Sequence, residues 1–192
     1  MTIKKGKREM AKIKNGTRVI TNEIRASYVH IAEPQSVNGS KEKYSMSVII
    51  PKSDKETLSL INQAIDQAIT EGITKFGGKR PNKAALKLPL RDGDVERDDE
   101  AYQDAFFINC NNYDAPQVVD EKRRPADPSI IYSGCYCRVS ISFYAFSTNG
   151  NRGIAAGLGN IQFVRDGVPL GNNHVSAADD FGEAEEDDDF LS

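Results

Sequence analysis

The segment Cys135–Phe146 holds the side chains best placed to do chemistry with a ligand, because a strand sends alternate residues to opposite faces. Cys135, Cys137, Val139, Ile141, Phe143 and Ala145 share one face, all apolar and suited to a core. Tyr136, Arg138, Ser140, Ser142, Tyr144 and Phe146 share the other, an unusual load of rings for a solvent face. Exposed rings give unstacked bases a flat platform, worth about 1–3 kcal/mol per base, while arginine or lysine neutralises phosphate. A duplex hides those base faces, so the combination points to single-stranded nucleic acid. The same rings would equally suit packing beneath a loop or a subunit interface, as in a homodimer, and these readings stay open.

Other clusters carry less. Asp92, Asp94, Glu96, Asp98, Asp99 and Glu100 are close enough to suggest a Mg²⁺-dependent nuclease. Arg91, Gly93 and Arg97 interleave with them, however, which favours a solvated loop over a rigid octahedral site. Cys135 and Cys137 fall on one apolar strand face with no second Cys/His pair, so buried thiols are expected and a zinc site is not. His30 and His174 stand apart from any nucleophile. Gly72 and Gly77 have P-loop spacing but Gly78 follows where lysine is required, and Gly157-Leu158-Gly159 lacks the third glycine of a dinucleotide fingerprint. The expectation is a binding protein with no catalytic residue, no metal and no cofactor. The rival non-enzymatic reading is an interaction protein that does not bind nucleic acid.

Charge is distributed unevenly. The 192 residues carry 25 Lys+Arg against 28 Asp+Glu, a net of −3. Eight of the acids lie in Ser176–Ser192, so residues 1–175 keep 20 acids against the 25 bases, a net of +5. A basic body on an acidic tail points to a polyanionic partner. Arg25, Lys41, Lys43, Arg80, Lys83, Lys87, Arg91, Arg123, Arg124 and Arg138 are spread along the chain beside strands or in loops. Spread charge suits a groove that follows a phosphate backbone without reading sequence. No apolar run approaches the roughly 20 residues that would span a bilayer, so no membrane partner is expected. The small odd count of three cysteines fits a reducing cytoplasm.

The elements that must position these residues are mostly strands. Residues 1–16 are lysine-rich without periodicity and are expected to form a disordered basic arm. β-branched residues suggest a long strand over Thr17–Ile31 and another over Tyr44–Ile50, with a turn across Glu33–Ser40 between them. Ser53 with Glu56 has capping-box spacing, and Leu58, Ile61, Ile65, Ala68, Ile69 and Ile73 recur at helical intervals before Gly77-Gly78. Residues 79–100 read as a long charged loop. Further strands are expected at Ala105–Cys110, Gln117–Val119, Cys135–Phe146 and Ile154–Val164. Five or six strands, one helix and no βαβα rhythm favour a mainly β, OB-like barrel over residues 17–175, followed by a disordered acidic tail over 176–192.

Asp187, Asp188 and Asp189 precede Phe190, an aromatic that a merely solvating tail would not need. The tail carries the sign of a nucleic-acid backbone, so it is expected to compete for the basic groove and to offer Phe190 to partner proteins.

Several segments together carry a resemblance. They include Thr17-Arg18-Val19-Ile20-Thr21, Lys43-Tyr44-Ser45-Met46-Ser47-Val48-Ile49-Ile50-Pro51-Lys52-Ser53-Asp54, and Leu88-Pro89-Leu90-Arg91-Asp92-Gly93-Asp94. Further on come Tyr132-Ser133-Gly134-Cys135-Tyr136, Asn149-Gly150-Asn151, Gly157-Leu158-Gly159-Asn160-Ile161-Gln162 and Arg165-Asp166-Gly167-Val168-Pro169-Leu170-Gly171. On these residues the chain resembles the bacteriophage single-stranded DNA-binding proteins of the DUF2815 type, with an OB fold and an acidic C-terminus. The resemblance implies sequence-independent binding of single-stranded DNA during phage replication or recombination, in the cytoplasm of an infected bacterium. It also implies replication or recombination proteins as partners of the tail.

Overall fold

A computed structural model describes residues 9–171. The acidic tail, including Asp187, Asp188, Asp189 and Phe190, lies outside the described residues, as do Lys4, Lys5, Lys7 and Arg8 of the basic arm.

The strands follow the β-branched runs: β1 (Lys12–Lys14), β2 (Arg18–Ile20), β3 (Ile24–Gln35), β4 (Lys43–Pro51), β5 (Arg91–Asp92), β6 (Ala105–Asn112), β7 (Val118–Val119), β8 (Tyr136–Thr148) and β9 (Asn151–Arg165). Five of them close a barrel. Strand β3 pairs with β4, β4 with β6, β6 with β9, β9 with β8, and β8 returns to β3. All are antiparallel except β6–β9, which meet in parallel at Asn111 and Gly157. That circuit, with one parallel closure between its third and fifth strands, is the OB-like barrel. The additional strands β1, β2, β5 and β7 are short extensions of its edges.

Two sequence expectations change at the N-terminal side. The long strand expected over Thr17–Ile31 breaks at Thr21-Asn22-Glu23 into β2 and β3, because β2 pairs with β8 at Ser140–Ser142 whereas β3 pairs with it at Tyr136 and Cys137. The basic arm is ordered from Glu9 onward: Lys12–Lys14 pairs with Arg18–Ile20 as a hairpin. Asn15 and Gly16, both at positive φ, help the three-residue loop Asn15-Gly16-Thr17 reverse the chain. Ala11 N–H donates to Asn22 Oδ1 at 2.6 Å and fixes the hairpin's entry.

The helix α1 (Lys55–Glu71) caps the barrel, burying Thr57, Leu58, Ile61, Ala64, Ile65, Ala68 and Ile69 against it. Its N-cap is Asp54, whose Oδ1 accepts from Thr57 N–H at 3.1 Å, one residue later than the expected Ser53 box. The expected loop over 79–100 contains structure of its own: a 3₁₀ turn at Lys83–Ala85, β5, and the one-turn helix α2 (Gly93–Glu96). Gly93 is required there, since a Cβ would meet Tyr102 O at 2.2 Å.

The alternation expected of Cys135–Phe146 holds on the inner face, where Cys135, Cys137, Val139, Ile141, Phe143 and Ala145 are all buried. Inner residues of β3, β4 and β6 (Ile24, Ala26, Met46, Val48, Ile50, Ile108 and Cys110) complete the same core. Each such side chain adds about 1.5–3 kcal/mol by leaving water. A smaller cluster of Ile49, Tyr102, Ala105 and Phe107 lies on the opposite face of the β4–β6 pair, roofed by residues 93–104.

Candidate nucleic-acid interface

Register across the barrel determines which outward side chains become neighbours. On one side the row reads Lys14, Arg18, Ser142 and Gly157, partner facing partner across β1, β2, β8 and β9. It continues across the parallel closure to Asn111 of β6, then to Ser45 of β4 and His30 of β3. One belt of outward residues therefore runs around the molecule. Next to it Tyr144 faces Ala155, and Phe146 faces Gly153. Small partners leave the rings on a low floor. Tyr144 is 46% exposed, and its ring edge lies 3.5 Å from where a Cβ on Gly157 would be. Gly153 in turn lets the backbone of Lys87 approach, where a Cβ would meet Lys87 O at 2.2 Å. Lys87 and Phe146 thus flank Gly153 from its two sides.

The cations of this side are free. Among the described residues, Lys12, Lys14, Arg18 and Lys87 make no salt bridge. Lys12 projects to the same side as Lys14, since Lys12, Ile20 and Ser140 form the adjoining row.

At the belt's other end, the outer face of β3, β4 and β6 forms a cleft of about 320 Å³ lined by Tyr28, His30, Ser45, Ser47, Arg97, Asn109 and Asn111, among others. A bulge between Ser27 and His30 throws Tyr28 outward at φ 46°, 54% exposed. The left-handed region is unfavourable for a residue with a Cβ, by about 1–3 kcal/mol, and is held only where neighbours enforce it. Arg97 lies over Tyr28, its guanidinium 5.5 Å from that ring, 5.1 Å from Tyr102 and 4.9 Å from Phe107. Beyond the cleft, Lys41 and Lys43 lie 4.5 and 4.9 Å from the ring of Tyr113, which is 53% exposed.

The residues expected from sequence divide between this surface and side chains engaged in ion pairs or hydrogen bonds elsewhere. Tyr144, Phe146, Lys87, Lys41 and Lys43 fall along it. Tyr136 does not join Tyr144: eight residue steps along the strand separate them by roughly 26 Å. Its ring is held between Arg165, 3.7 Å away, and Arg25, 5.6 Å away. Arg165 is itself paired with Glu23 at 2.7 Å, and Arg25 donates to Val168 O at 2.7 Å and Gly134 O at 3.2 Å. Lys83 pairs with Asp66 at 2.8 Å, Arg91 with Glu96 and Arg124 with Asp120, both at 2.7 Å. Arg123 pairs with Glu9, and Arg80 donates to Thr70 Oγ1.

Arg138 is the clearest correction. Expected outward as a phosphate contact, it is only 9% exposed because the N-terminal hairpin's entry crosses it. Its Nε donates to Thr21 O at 2.9 Å, its Nη2 to Met10 O at 3.1 Å, and its Nη1 meets Glu9. Burial, then the neighbouring Arg123, lower its pKa. It is a clamp on the N-terminal segment. Arg138→Ala is expected to lower the unfolding free energy by about 2 kcal/mol, the scale of hydrogen bonds to a charged group. Urea denaturation measures it, and a loss under about 0.5 kcal/mol would remove the clamp.

Four of the carboxylates of residues 92–100, Asp92, Asp94, Glu96 and Asp99, serve structure. Lys52 Nζ lies 2.8 Å from Asp92 and 2.6 Å from Asp94, and the Lys52 hydrogen bond leads the causes that lower the Asp94 pKa. Asp99 caps the 3₁₀ turn at Glu100–Tyr102. Among the described residues no group of three or more His, Cys, Asp or Glu is placed to hold a metal. Burial pushes the Cys110 thiol up, and a hydrogen bond to Cys135, together with burial, raises Cys137.

Lys12 and Lys14 alternate about Ile13 over only three residues, and Arg18 joins them only across the hairpin turn, so the sequence alone did not group them. Tyr28 and Tyr113 had no local signal. A bulge and a cross-strand approach bring them out.

Comparison with known proteins places this geometry. The family described as the ssDNA-binding protein of Enterobacter phage Enc34 matches residues 17–191. Protein p50 of Acyrthosiphon pisum secondary endosymbiont phage 1 is 31% identical over 170 residues, covering 83% of this chain and 90% of that protein. The single-stranded DNA-binding protein of bacteriophage Enc34 in complex with ssDNA superposes with a TM-score of 0.68 at 22% identity, over 86% of this chain and 100% of that one. The single-stranded DNA-binding protein gp2.5 of bacteriophage T7 gives a TM-score of 0.59 at 15% identity, over 83% and 97% of the two chains. At these identities the two structures establish the fold.

Proposed function

The chain belongs to the family of the Enterobacter phage Enc34 ssDNA-binding protein, and from that membership we propose that it binds single-stranded DNA along the belt, by phosphate neutralisation and ring stacking. Its role is in phage DNA replication or recombination, within the cytoplasm of the infected host. It is not an enzyme, its relatives being of a DNA-binding class.

The observation that carries the reading is the continuous outward row from Lys14 through Arg18, Ser142, Gly157 and Asn111 to Ser45. Two free cations open the row and short side chains follow, with the exposed ring of Tyr144 beside them, so a strand meets charge and a stacking surface together. OB barrels commonly bind oligonucleotides on the face of their second and third strands and on the neighbouring loops. Here those strands are β4 and β6, and the loops are 36–42, which carries Lys41, and 149–150, beyond Tyr144 and Phe146. Contacts to phosphate are blind to base, so binding along the belt is sequence-independent.

The tail's position suits a competitor. Leu170 packs on the Ile49–Tyr102–Ala105–Phe107 cluster beside the β4–β6 face, so the chain leaves toward the tail from the edge of the interface. The residues that follow, up to Ser192, span up to roughly 70 Å when extended, enough to reach the whole belt. Asp187, Asp188 and Asp189 then compete with phosphate, and Phe190 docks partner proteins once DNA displaces the tail.

Titrating fluorescent oligo-dT into the parent and into a chain lacking residues 177–192, each at two salt concentrations, tests both claims. Six belt cations (Lys12, Lys14, Arg18, Lys41, Lys43 and Lys87) predict a log–log salt slope near about −4. Absent or salt-insensitive binding defeats the reading, and equal affinity of the two chains at low salt defeats the tail's role.

A further inference from the structure

We infer that the cleft between Tyr28 and Asn111 is a nucleobase pocket that reads the edge of one base, so that a protein otherwise indifferent to sequence discriminates at one position of its site. This rests on the binding function proposed above. Two adjacent cross-strand pairings form the floor: Ser47 with Asn109, then His30, Ser45 and Asn111. Among the described residues the side chains of His30, Ser45, Asn109 and Asn111 have no hydrogen-bond partner, although all four line one cleft. Tyr102 caps only Ser47, with its hydroxyl 3.1 Å from Ser47 Oγ. Each asparagine offers a donor and an acceptor side by side, the pattern that a base edge complements.

The walls fit a flat ring. Tyr28 stands at the cleft's side in its left-handed conformation, more than half exposed. Backbone held in an unfavourable region by its surroundings marks a site where placement of the side chain matters. Arg97, which also lines the cleft, lies over one face of the Tyr28 ring at 5.5 Å and brings positive charge to it. Unstacked bases of single strands are recognised in this way, one face on a ring and one edge on amides or hydroxyls. The belt passes through Asn111 and Ser45, so a strand following the phosphate path presents a base at the cleft.

Thymine and cytosine stack alike but carry different donors and acceptors, so comparing them isolates edge reading from stacking. In competition between oligo-dT and oligo-dC of equal length, the parent is expected to favour one by about fivefold or more, the low end of one bidentate contact. Asn109→Ala with Asn111→Ala should bring the two within twofold. The single change Asn109→Ser, at an exposed position, should shrink the preference if the double variant folds poorly. Tyr28→Ala should weaken both oligonucleotides equally. A parent that binds both tightly without preference overturns the pocket alone, as does a preference that survives the asparagine changes. A parent that binds neither overturns the DNA-binding function and the pocket with it.

Discussion

Replacing Tyr144 and Phe146 together with alanine is expected to weaken binding of oligo-dT about thirtyfold or more at fixed salt. Each ring that carries a base contributes about 1–3 kcal/mol, so two rings at the low end give about 2 kcal/mol. The two residues sit two apart on β8 with Ala155 and Gly153 as their cross-strand partners, so nothing beside them would take over the stacking. Tyr144 is nearly half exposed and outside the core, so its loss should cost the fold little. Phe146 is half-buried, and its truncation should lower stability modestly without unfolding the chain. No charge is removed, so the salt slope should stay that of the parent while the whole line shifts to weaker affinity. A folded double variant that binds within threefold of the parent would show that the rings do not carry bases.

The comparison of these rings with Tyr136 shows what the sequence could and could not convey. Period-2 alternation placed the six apolar residues of Cys135–Phe146 on the core side, because that set had to face the core. Alternation says nothing about distance along the strand or about what crosses it. Tyr136 and Arg138 were thus grouped with Tyr144, although Arg25 and Arg165 sandwich the first and the Glu9–Met10 segment covers the second. The barrel and its helix were legible for a related reason: their apolar periods are local and strong. The interface was not, because it is a property of register. Arg18 becomes the neighbour of Ser142, and Gly157 that of Asn111, only when β2, β8, β9 and β6 are paired, and those residues lie far apart in sequence. Composition likewise counted cations without distinguishing those held by a carboxylate from those that are free. Lys83, Arg91 and Arg124 looked like Lys14 and Arg18 until Asp66, Glu96 and Asp120 were found beside them.

That distinction between free and engaged cations leads to a second large effect. The triple variant Lys12→Gln, Lys14→Gln and Arg18→Gln removes three free charges from one side of the belt. Each phosphate contact to a single strand contributes about 0.7 to the salt slope, so the slope should flatten by about 2. The same relation makes the affinity loss depend on salt, on the order of a few hundredfold near 50 mM and about thirtyfold near 200 mM. A matched triple, Lys83→Gln, Arg91→Gln and Arg124→Gln, removes the same formal charge from residues already paired. Its slope should stay close to the parent's, since a cation held by a carboxylate releases no counterion from DNA. Both triples lower the net charge equally, so a general electrostatic attraction to the basic body would weaken both alike. Equal flattening in the two triples would therefore mean that DNA follows overall charge and not the belt.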